Sequence, residues 1–256
     1  MKKYTLLPIL LLFLSFGGIA EATNWCEHAN IVGCWTVETG SGTNIDDKSS
    51  NNNDGTITGA VWGTTTPSPP ASYSTYYLEF DFIDDVVDFG DTAEGATDVT
   101  VVMWVVWKND NAYVGYMSHT DSEDAADGWW FFQVSGDAYI AVSNSNTDHE
   151  STTSSLTEDD WTHIGFGYKD SINSINFYYD GVEEDKSDNE AINESADTLK
   201  WGANDNFYAL SGLDGASDEP AIFSAQLDST DINDIMDNGL VQAAAAPTFV
   251  PKMMMF

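Results

Sequence analysis

Short runs of hydrophobic residues alternate with polar stretches along almost the whole chain. The runs are rich in Val, Ile, Thr and aromatic residues, which is typical of strands, whereas the stretches between them are rich in Asn, Asp, Ser and Gly, which favour turns. The pattern predicts strands at 31–37, 56–62, 76–82, 86–89, 99–107, 129–134, 138–142, 161–168, 175–179, 198–201, 207–210 and 219–223.

Two local signals refine this pattern. Residues 101–107 are hydrophobic at every position, so the strand they form is expected to lie inside a sheet with both of its faces covered. The pair Asp180-Gly181 predicts a hairpin turn, because glycine readily adopts the positive φ that such a turn requires.

One helix is predicted, near the C-terminal end of the chain. Ser229 or Thr230 can cap its first turn, Ile232 and Ile235 share one face, and Gly239 can end it. Many strands, abundant turns and a single short helix predict an all-β fold. The expected architecture is an antiparallel two-sheet jelly-roll β-sandwich with one short C-terminal helix.

The two ends of the chain differ from the rest. Residues 1–22 carry Lys2, Lys3, a short apolar stretch and small residues at their end, which predicts a signal peptide. The apolar stretch is shorter than a comfortable membrane span. We therefore expect a secreted protein with one domain at 23–242 and no membrane attachment after cleavage. Residues 243–256 form an apolar C-terminal tail whose exposed side chains would favour self-association.

The chain is strongly acidic, with 42 Asp and Glu, 8 Lys and Arg, and a formal net charge of −34. This charge excludes nucleic acid as a partner, because phosphate binding needs clustered cations. Anionic membranes and polyanionic glycans are disfavoured for the same reason. The folded chain also needs its charge screened, which either salt or bound divalent cations would provide.

Cys26 and Cys34 are the only cysteines. In a protein exported to an oxidising compartment, two cysteines this close in sequence predict one local disulfide. Such a bond would hold the N-terminal strand and has no implication for catalysis.

Three segments carry a family resemblance. The segment DDKSSNNNDGTI at 46–57 reads as a polar loop that leads into a strand. The segment DWTHIGF at 160–166 precedes the hairpin FYYDG at 177–181, and the segment DEPAIF at 218–223 precedes the predicted helix. In this order, the motifs resemble those of laminin G-like domains in the concanavalin A-like lectin/glucanase superfamily. The resemblance covers about 30–240 and implies the same two-sheet sandwich.

The resemblance also implies a structural calcium ion between the N-terminal loop and a C-terminal strand. Calcium takes six to eight oxygen ligands from carboxylates, amides and backbone carbonyls. Asp46, Asn53, Asp54 and Asp218 offer such oxygens and are the candidate ligands. The alternative is that the Asn and Asp side chains only stabilise turns in this loop.

Aromatic residues beside polar turns are the candidates for binding a glycan. The apolar face of a sugar stacks on an aromatic ring, while nearby polar groups bond its hydroxyls. The candidates are Tyr113, Tyr116, Trp129 and Trp130. Because neighbouring residues of a strand face opposite ways, one of the two tryptophans is expected in the core and the other at the surface. The alternative for each ring is core packing, which the pattern predicts for Trp161.

A catalytic function is not predicted. Residues 79–84 read EFDFID, close to the E-x-D-x-x-E strand of glucanases that share this fold, but the last carboxylate is that of Asp84. A retaining glycosidase needs two carboxyl groups about 5–5.5 Å apart. Residues 79–84 resemble more closely the corresponding strand of the non-catalytic laminin G-like domains.

These observations predict a secreted, non-catalytic recognition or adhesion module that binds a neutral glycan or an extracellular protein. The alternative is a structural subunit of an extracellular surface layer, filament or virion, assembled partly through the tail at 243–256. A β-glucan-active glycosidase is the third and least supported interpretation.

Overall fold

The computed structural model describes residues 24–64, 75–92, 98–108, 113–120, 127–134, 140–144, 147–152, 156–172, 174–187, 192–193, 195–202 and 212–241. The predicted signal peptide, the C-terminal tail and the strand predicted at 207–210 lie outside the described residues.

The described residues form sixteen strands and one α-helix. The strands are β1 (Ile31–Cys34), β2 (Asn44–Ile45), β3 (Gly55–Thr58), β4 (Val61–Thr64), β5 (Tyr76–Asp81), β6 (Val86–Asp88), β7 (Val99–Trp107), β8 (Tyr113–His119), β9 (Trp129–Val134), β10 (Ile140–Asn144), β11 (Thr147–Glu150), β12 (Trp161–Lys169), β13 (Ser174–Tyr179), β14 (Val182–Ser187), β15 (Lys200–Trp201) and β16 (Asp214–Phe223). The helix is α1 (Ser229–Asn238).

The strands form two eight-stranded antiparallel sheets. The first sheet has the order β14-β13-β12-β7-β16-β5-β4, and β1 adds to it by pairing with β16. The second sheet has the order β11-β10-β9-β8-β15-β6-β3-β2. The predicted all-β, two-sheet fold with one short helix is confirmed.

Strand β7 lies inside the first sheet, between β12 and β16. All nine of its residues are buried. Val101, Met103 and Val105 face the main core, and Val102 packs in a second cluster on the other face. The prediction of a strand covered on both faces is therefore confirmed.

The strand predicted at 56–62 is in fact two strands, which belong to different sheets. Gly59 lies between β3 and β4 with a φ of 79°, a left-handed conformation that ends one strand and redirects the chain to the other sheet. Hydrophobic residues continue across this turn, so the hydrophobic pattern alone did not reveal it.

Strand β8 was not predicted. Its sequence YVGYMSH contains a β-bulge between Gly115 and Met117, which breaks the alternation that marks a strand. The edge strands β11 and β14 were also not predicted, because they are mostly polar. Polar edge strands are common, since charged side chains discourage pairing with other chains.

Helix α1 is capped by Asp228, not by Ser229 or Thr230 as predicted. The Asp228 Oδ1 accepts hydrogen bonds from the backbone N–H groups of Thr230 (2.8 Å) and Asp231 (3.0 Å). Aspartate is an equally good cap, and its position one residue earlier leaves Ser229 helical. Gly239, with a φ of 77°, ends the helix as predicted.

The main hydrophobic core lies between the two sheets. A second cluster joins the outer face of the first sheet to α1 and contains the disulfide between Cys26 and Cys34. This disulfide was predicted and is confirmed. A third, smaller cluster contains Trp130 and Phe132 with Tyr113 packed against them.

No helix of the described part of the chain is both long and apolar enough to cross a membrane.

Candidate ligand-binding site

The loop between β2 and β3 is organised by the carboxylate of Asp47. Its Oδ1 accepts hydrogen bonds from the backbone N–H groups of Cys34 (3.0 Å) and Ser49 (2.8 Å). Its Oδ2 accepts from the Ser49 hydroxyl (2.7 Å) and the Asn53 backbone N–H (2.9 Å). Asp47 was not among the predicted calcium ligands, and its four hydrogen bonds give it a structural role in the loop.

The three predicted calcium ligands of this loop make other contacts. Asp46 is exposed and its Oδ2 lies 3.2 Å from the Lys48 ammonium. Asp54 Oδ1 accepts a hydrogen bond from the Asp47 backbone N–H (2.9 Å). The Asn53 amide donates to the Val32 carbonyl (2.7 Å). These contacts are those of the alternative interpretation, in which the side chains stabilise turns.

Asp218, the fourth predicted calcium ligand, lies in β16 with no exposed surface. Its Oδ1 accepts a hydrogen bond from the Glu219 backbone N–H (2.8 Å). The β16 strand bulges between Asp218 and Ala221, and Glu219 has a φ of 48° there. Among the described residues, the carboxylates of Asp46, Asp54 and Asp218 do not form a group of metal-ligating distance.

The described residues contain a different acidic group, formed by Asp81, Asp84 and Asp85. One carboxylate oxygen of each lies within 4.8 Å of the others. Asp85 is buried and its Oδ2 accepts a hydrogen bond from the Asp81 backbone N–H (2.8 Å). Burial, with the charges of Asp81 and Asp84, raises the pKa of Asp85. Protonation of one carboxyl group or a nearby cation would relieve the repulsion within this group.

Two of the four predicted glycan-binding residues lie in the main core. Trp129 packs edge-on against Phe166, with ring centroids 5.3 Å apart. The bulge in β8 turns both Tyr116 and Met117 towards the core, although they are neighbours in sequence. The Tyr116 hydroxyl donates to the Gln133 Oε1 at 2.8 Å. Neither aromatic ring offers an exposed surface on which a sugar could stack.

The other two predicted residues, Tyr113 and Trp130, lie together on the outer face of the second sheet. Trp130 stacks on Phe132 with ring centroids 4.2 Å apart and planes inclined by 17°. Tyr113 packs against both rings, at 6.1 Å from Trp130 and 5.7 Å from Phe132. Tyr113 is partly exposed, whereas Trp130 is only 3 % exposed, so the expected surface tryptophan is covered. Tyr113 is thus the accessible ring of this cluster.

The indole N–H of Trp130 is a buried donor without a partner. None of the described residues places an acceptor within hydrogen-bond distance of its Nε1. A buried donor left unpaired costs about 1–3 kcal/mol, so such groups are uncommon in stable folds. An oxygen of a ligand or of a bound water molecule would satisfy it.

Polar residues continue the same face beside the aromatic cluster. In the strand register, Trp130 lies opposite Ser118, Ser118 opposite Lys200, and Lys200 opposite Asp88. Their chain neighbours, including Trp201, face the main core, so this row lies on the outer face. The row contains a hydroxyl, an ammonium and a carboxylate, but Ser118 and Lys200 are buried, with 1 % and 9 % of their surface exposed. Phe132, Ser118 and Lys200 were not predicted as site residues, because only the strand register brings them together.

The comparisons with known proteins agree with this fold. A family model described as the concanavalin A-like lectin/glucanases superfamily matches residues 83–233, more than half of the chain. No curated protein matches the chain in sequence.

Several solved structures share the fold at low sequence identity. Domain 4 of AbnA, a GH43 extracellular arabinanase from Geobacillus stearothermophilus solved in complex with arabinotriose, has a TM-score of 0.64 at 15% identity. That comparison covers 82% of this chain and 100% of that domain. The binding domain of Paraclostridial Mosquitocidal Protein 1 has a TM-score of 0.60 at 16% identity, over 81% of this chain and 52% of that chain.

A sialidase is also similar in structure. Trypanosoma rangeli sialidase in complex with sialic acid has a TM-score of 0.58 at 12% identity, over 82% of this chain and 33% of that chain. The match thus spans about half of the mosquitocidal binding domain and a third of the sialidase. The family match and the shared fold lead to the same conclusion: this chain belongs to the concanavalin A-like lectin/glucanase superfamily.

Proposed function

We propose that this chain is a secreted, non-catalytic recognition module that binds neutral glycans on the outer face of its second sheet. The observation that carries the proposal is the cluster of Tyr113, Trp130 and Phe132, which lies outside the main core. It combines a partly exposed ring with a buried indole N–H that has no acceptor in the structure. The arabinotriose complex of the AbnA domain supports the proposal, since a domain of this fold was solved with a neutral oligosaccharide.

The chemistry of the site favours a neutral ligand. A sugar ring can stack on Tyr113, the accessible ring of the cluster, and a sugar oxygen could accept from the buried Trp130 N–H only if binding uncovers it. Ser118 and Lys200 lie on the same face but are buried and already interact with other groups, so they are not proposed as ligand contacts. A polyanionic glycan would be repelled by a chain with a formal charge of −34.

The glucanase alternative has less support from the same geometry. Glu79 lies in β5 of the first sheet, whereas the aromatic cluster lies on the outer face of the second. Glu79 already contacts the Tyr77 hydroxyl and the Lys108 ammonium. Glycan binding without any release of reducing ends from β-glucans would favour the module over the enzyme.

Calorimetry with neutral oligosaccharides, beginning with arabinotriose, tests the proposal. Tyr113→Ala removes the stacking ring and is expected to weaken binding about tenfold or more. Tyr113→Phe keeps the ring and serves as the matched control. Trp130→Phe keeps an aromatic ring but removes the N–H, so it is also expected to weaken binding. Unchanged affinity in both Tyr113→Ala and Trp130→Phe would contradict binding at this face.

The structural-subunit alternative rests on the apolar tail, which lies outside the described residues. Sedimentation velocity of the full chain and of a chain without 244–256 distinguishes the two functions. Concentration-dependent assembly that is lost with the tail would favour the subunit, whereas a monomer that binds glycan would favour the module.

A further inference from the structure

A second surface lies on the opposite side of the sandwich, on the outer face of the first sheet. The strand register places Glu79 of β5 opposite Ala216 of β16, Ala216 opposite Val106 of β7, and Val106 opposite Trp161 of β12. Tyr77 lies two residues from Glu79 on the same face of β5. This set, Tyr77, Glu79 and Trp161 with Ala216 and Val106 between them, is called the first-sheet surface below.

Two aromatic rings meet at the first-sheet surface. The rings of Tyr77 and Trp161 lie 5.7 Å apart, edge to face at 73°, although two strands separate β5 from β12. Both residues are partly exposed. Trp161 was predicted to be a core residue, but Ile164 and Phe166 take the core side of β12, so alternation places Trp161 on the outer face.

Small residues beneath the rings make this contact possible. In the strand register, Ala216 and Val106 occupy the two strands between Glu79 and Trp161, and both side chains are shorter than an aromatic ring. On the other side of β5, Gly63 lies opposite Tyr77, and a Cβ added there would be 2.2 Å from the Tyr77 ring. The Tyr77 ring therefore rests on the backbone of β4, which holds its position.

Polar groups of both kinds surround the two rings. The Tyr77 hydroxyl donates a hydrogen bond to Glu79 Oε1 at 3.3 Å. The Lys108 ammonium lies 3.7 Å from the same oxygen, with 42 % of the Lys108 side chain and 44 % of the Glu79 side chain exposed. Partial burial and the Glu79 charge raise the pKa of Tyr77, so its hydroxyl stays protonated and remains a donor at neutral pH. The surface thus combines aromatic faces with an accessible carboxylate acceptor and an accessible ammonium donor.

We propose that the first-sheet surface is a second binding site for a neutral sugar ring, which stacks against Tyr77 and Trp161. The sugar hydroxyls donate to the Glu79 carboxylate and accept from the Lys108 ammonium. A cationic ligand would also be attracted to aromatic rings beside a carboxylate. However, Lys108 already places a positive charge next to Glu79, so a cation there would meet a like charge.

This site is independent of the one on the second sheet, since it uses a different sheet and different residues. The two surfaces face away from each other on opposite sides of the sandwich. A single chain with both sites would bind two sugar chains at once. Linking two glycan chains in this way raises the avidity for a multivalent surface well above the affinity of either site.

Calorimetry and sugar titrations followed by nuclear magnetic resonance test the proposal on the full chain. The probes are arabinotriose and neutral hexasaccharides of glucose, xylose and mannose. Trp161→Ala and Glu79→Gln are each expected to weaken sugar binding at the first-sheet surface about tenfold or more. Both should leave binding at the second sheet unchanged. Trp161→Phe and Tyr113→Ala are the matched controls: the first keeps a ring at this surface, and the second changes only the other sheet. Thermal melting confirms that each variant is folded.

Each outcome decides the proposal. Two sugar molecules per chain in the unaltered protein, and one in Trp161→Ala, would support it, as would binding that survives Tyr113→Ala but is lost in Glu79→Gln. Sugar binding that Tyr113→Ala abolishes and that Trp161→Ala and Glu79→Gln leave unchanged would overturn it while the proposed function stands. Choline serves as a cationic probe in the same titrations, and its binding in place of sugar, lost in Glu79→Gln, would overturn the choice of ligand. No binding of any probe sugar would count against both sites.

Discussion

At the scale of single residues, His163 couples stability to pH. It is fully buried in β12, its Nδ1 has no hydrogen-bond partner among the described residues, and its ring packs against Trp104 at 5.1 Å. Burial lowers its pKa from 6.5 to about 3, so the folded protein holds it neutral. The unfolded chain takes up the proton below pH 6.5, so the stability that this group contributes above pH 6.5 is lost as the pH falls towards 3.

We therefore expect His163→Phe to lessen the acid sensitivity of the protein. As the pH falls from 6.5 to about 3, His163 lowers the free energy of unfolding of the unaltered protein by roughly one kcal/mol for each pH unit. The phenylalanine ring keeps the packing on Trp104 and cannot be protonated. Urea denaturation of both proteins at a series of pH values measures the difference in the free energy of unfolding. A difference that stays constant over that pH range would contradict the expectation.

Asp47 and Asp46 offer a second test at this scale, because they are neighbours in sequence but Asp47 is buried and Asp46 is exposed. Asp47 accepts four hydrogen bonds that organise its loop, whereas Asp46 is exposed beside Lys48. Asp47→Asn keeps the shape but replaces one acceptor oxygen by a donor, and is expected to cost about 2–3 kcal/mol of stability. Asp46→Asn, the matched control, is expected to cost less than about 1 kcal/mol. Equal effects in urea denaturation would contradict the role of Asp47.

At the scale of elements, the turn at Gly59 sends the chain from one sheet to the other. Gly59→Ala forces a left-handed alanine, and its Cβ would lie 2.0 Å from Asp85 Oδ1. Gly90→Ala is the matched control, because Gly90 also has a positive φ but open space around its Cβ position. We expect Gly90→Ala to cost about 1–2 kcal/mol of stability and Gly59→Ala clearly more. Equal melting temperatures for the two variants would show that the contact with Asp85 is unimportant.

The same elements show how far the sequence determines the fold. Strands whose residues are nearly all apolar, such as β7 and β9, were predicted with their observed bounds, because the hydrophobic effect acts on each residue directly. Strands that depend on their neighbours were missed: β8 has a bulge, and β11 and β14 are polar edges. Pairing with an adjacent strand decides these cases, and no local pattern encodes it.

The candidate sites were harder to predict than the fold for a related reason. Tyr113 and Trp130 were predicted from their types, but Phe132 joins them only through alternation in β9. Tyr77 and Trp161 are far apart in sequence and meet only because the strand order brings β5 and β12 into the same sheet. A binding surface built across strands depends on register, so composition and spacing cannot identify it.

At the scale of the whole molecule, the formal charge of −34 is the dominant feature. Repulsion among so many carboxylates opposes folding, and ions that screen it should stabilise the protein. Repulsion between neighbouring carboxylates is seen in helix α1, where burial and the Asp228 charge raise the pKa of Asp231 in the first turn. Monovalent salt is therefore expected to raise the melting temperature steadily.

Calcium tests whether a specific ion site exists beyond this general screening. Thermal melting at fixed high ionic strength, with calcium or with excess chelator, removes the contribution of bulk salt. A specific site of the extracellular type would bind at about 10⁻⁴–10⁻³ M, so a clear rise in melting temperature is expected at millimolar calcium. Variants then locate the ion: loss of the rise in Asp54→Asn would favour the ligands predicted from sequence, whereas loss in Asp84→Asn would favour the group of Asp81, Asp84 and Asp85. Equal melting temperatures with calcium and chelator would remove calcium as a cofactor, and the acidic residues would then act through solvation and screening alone.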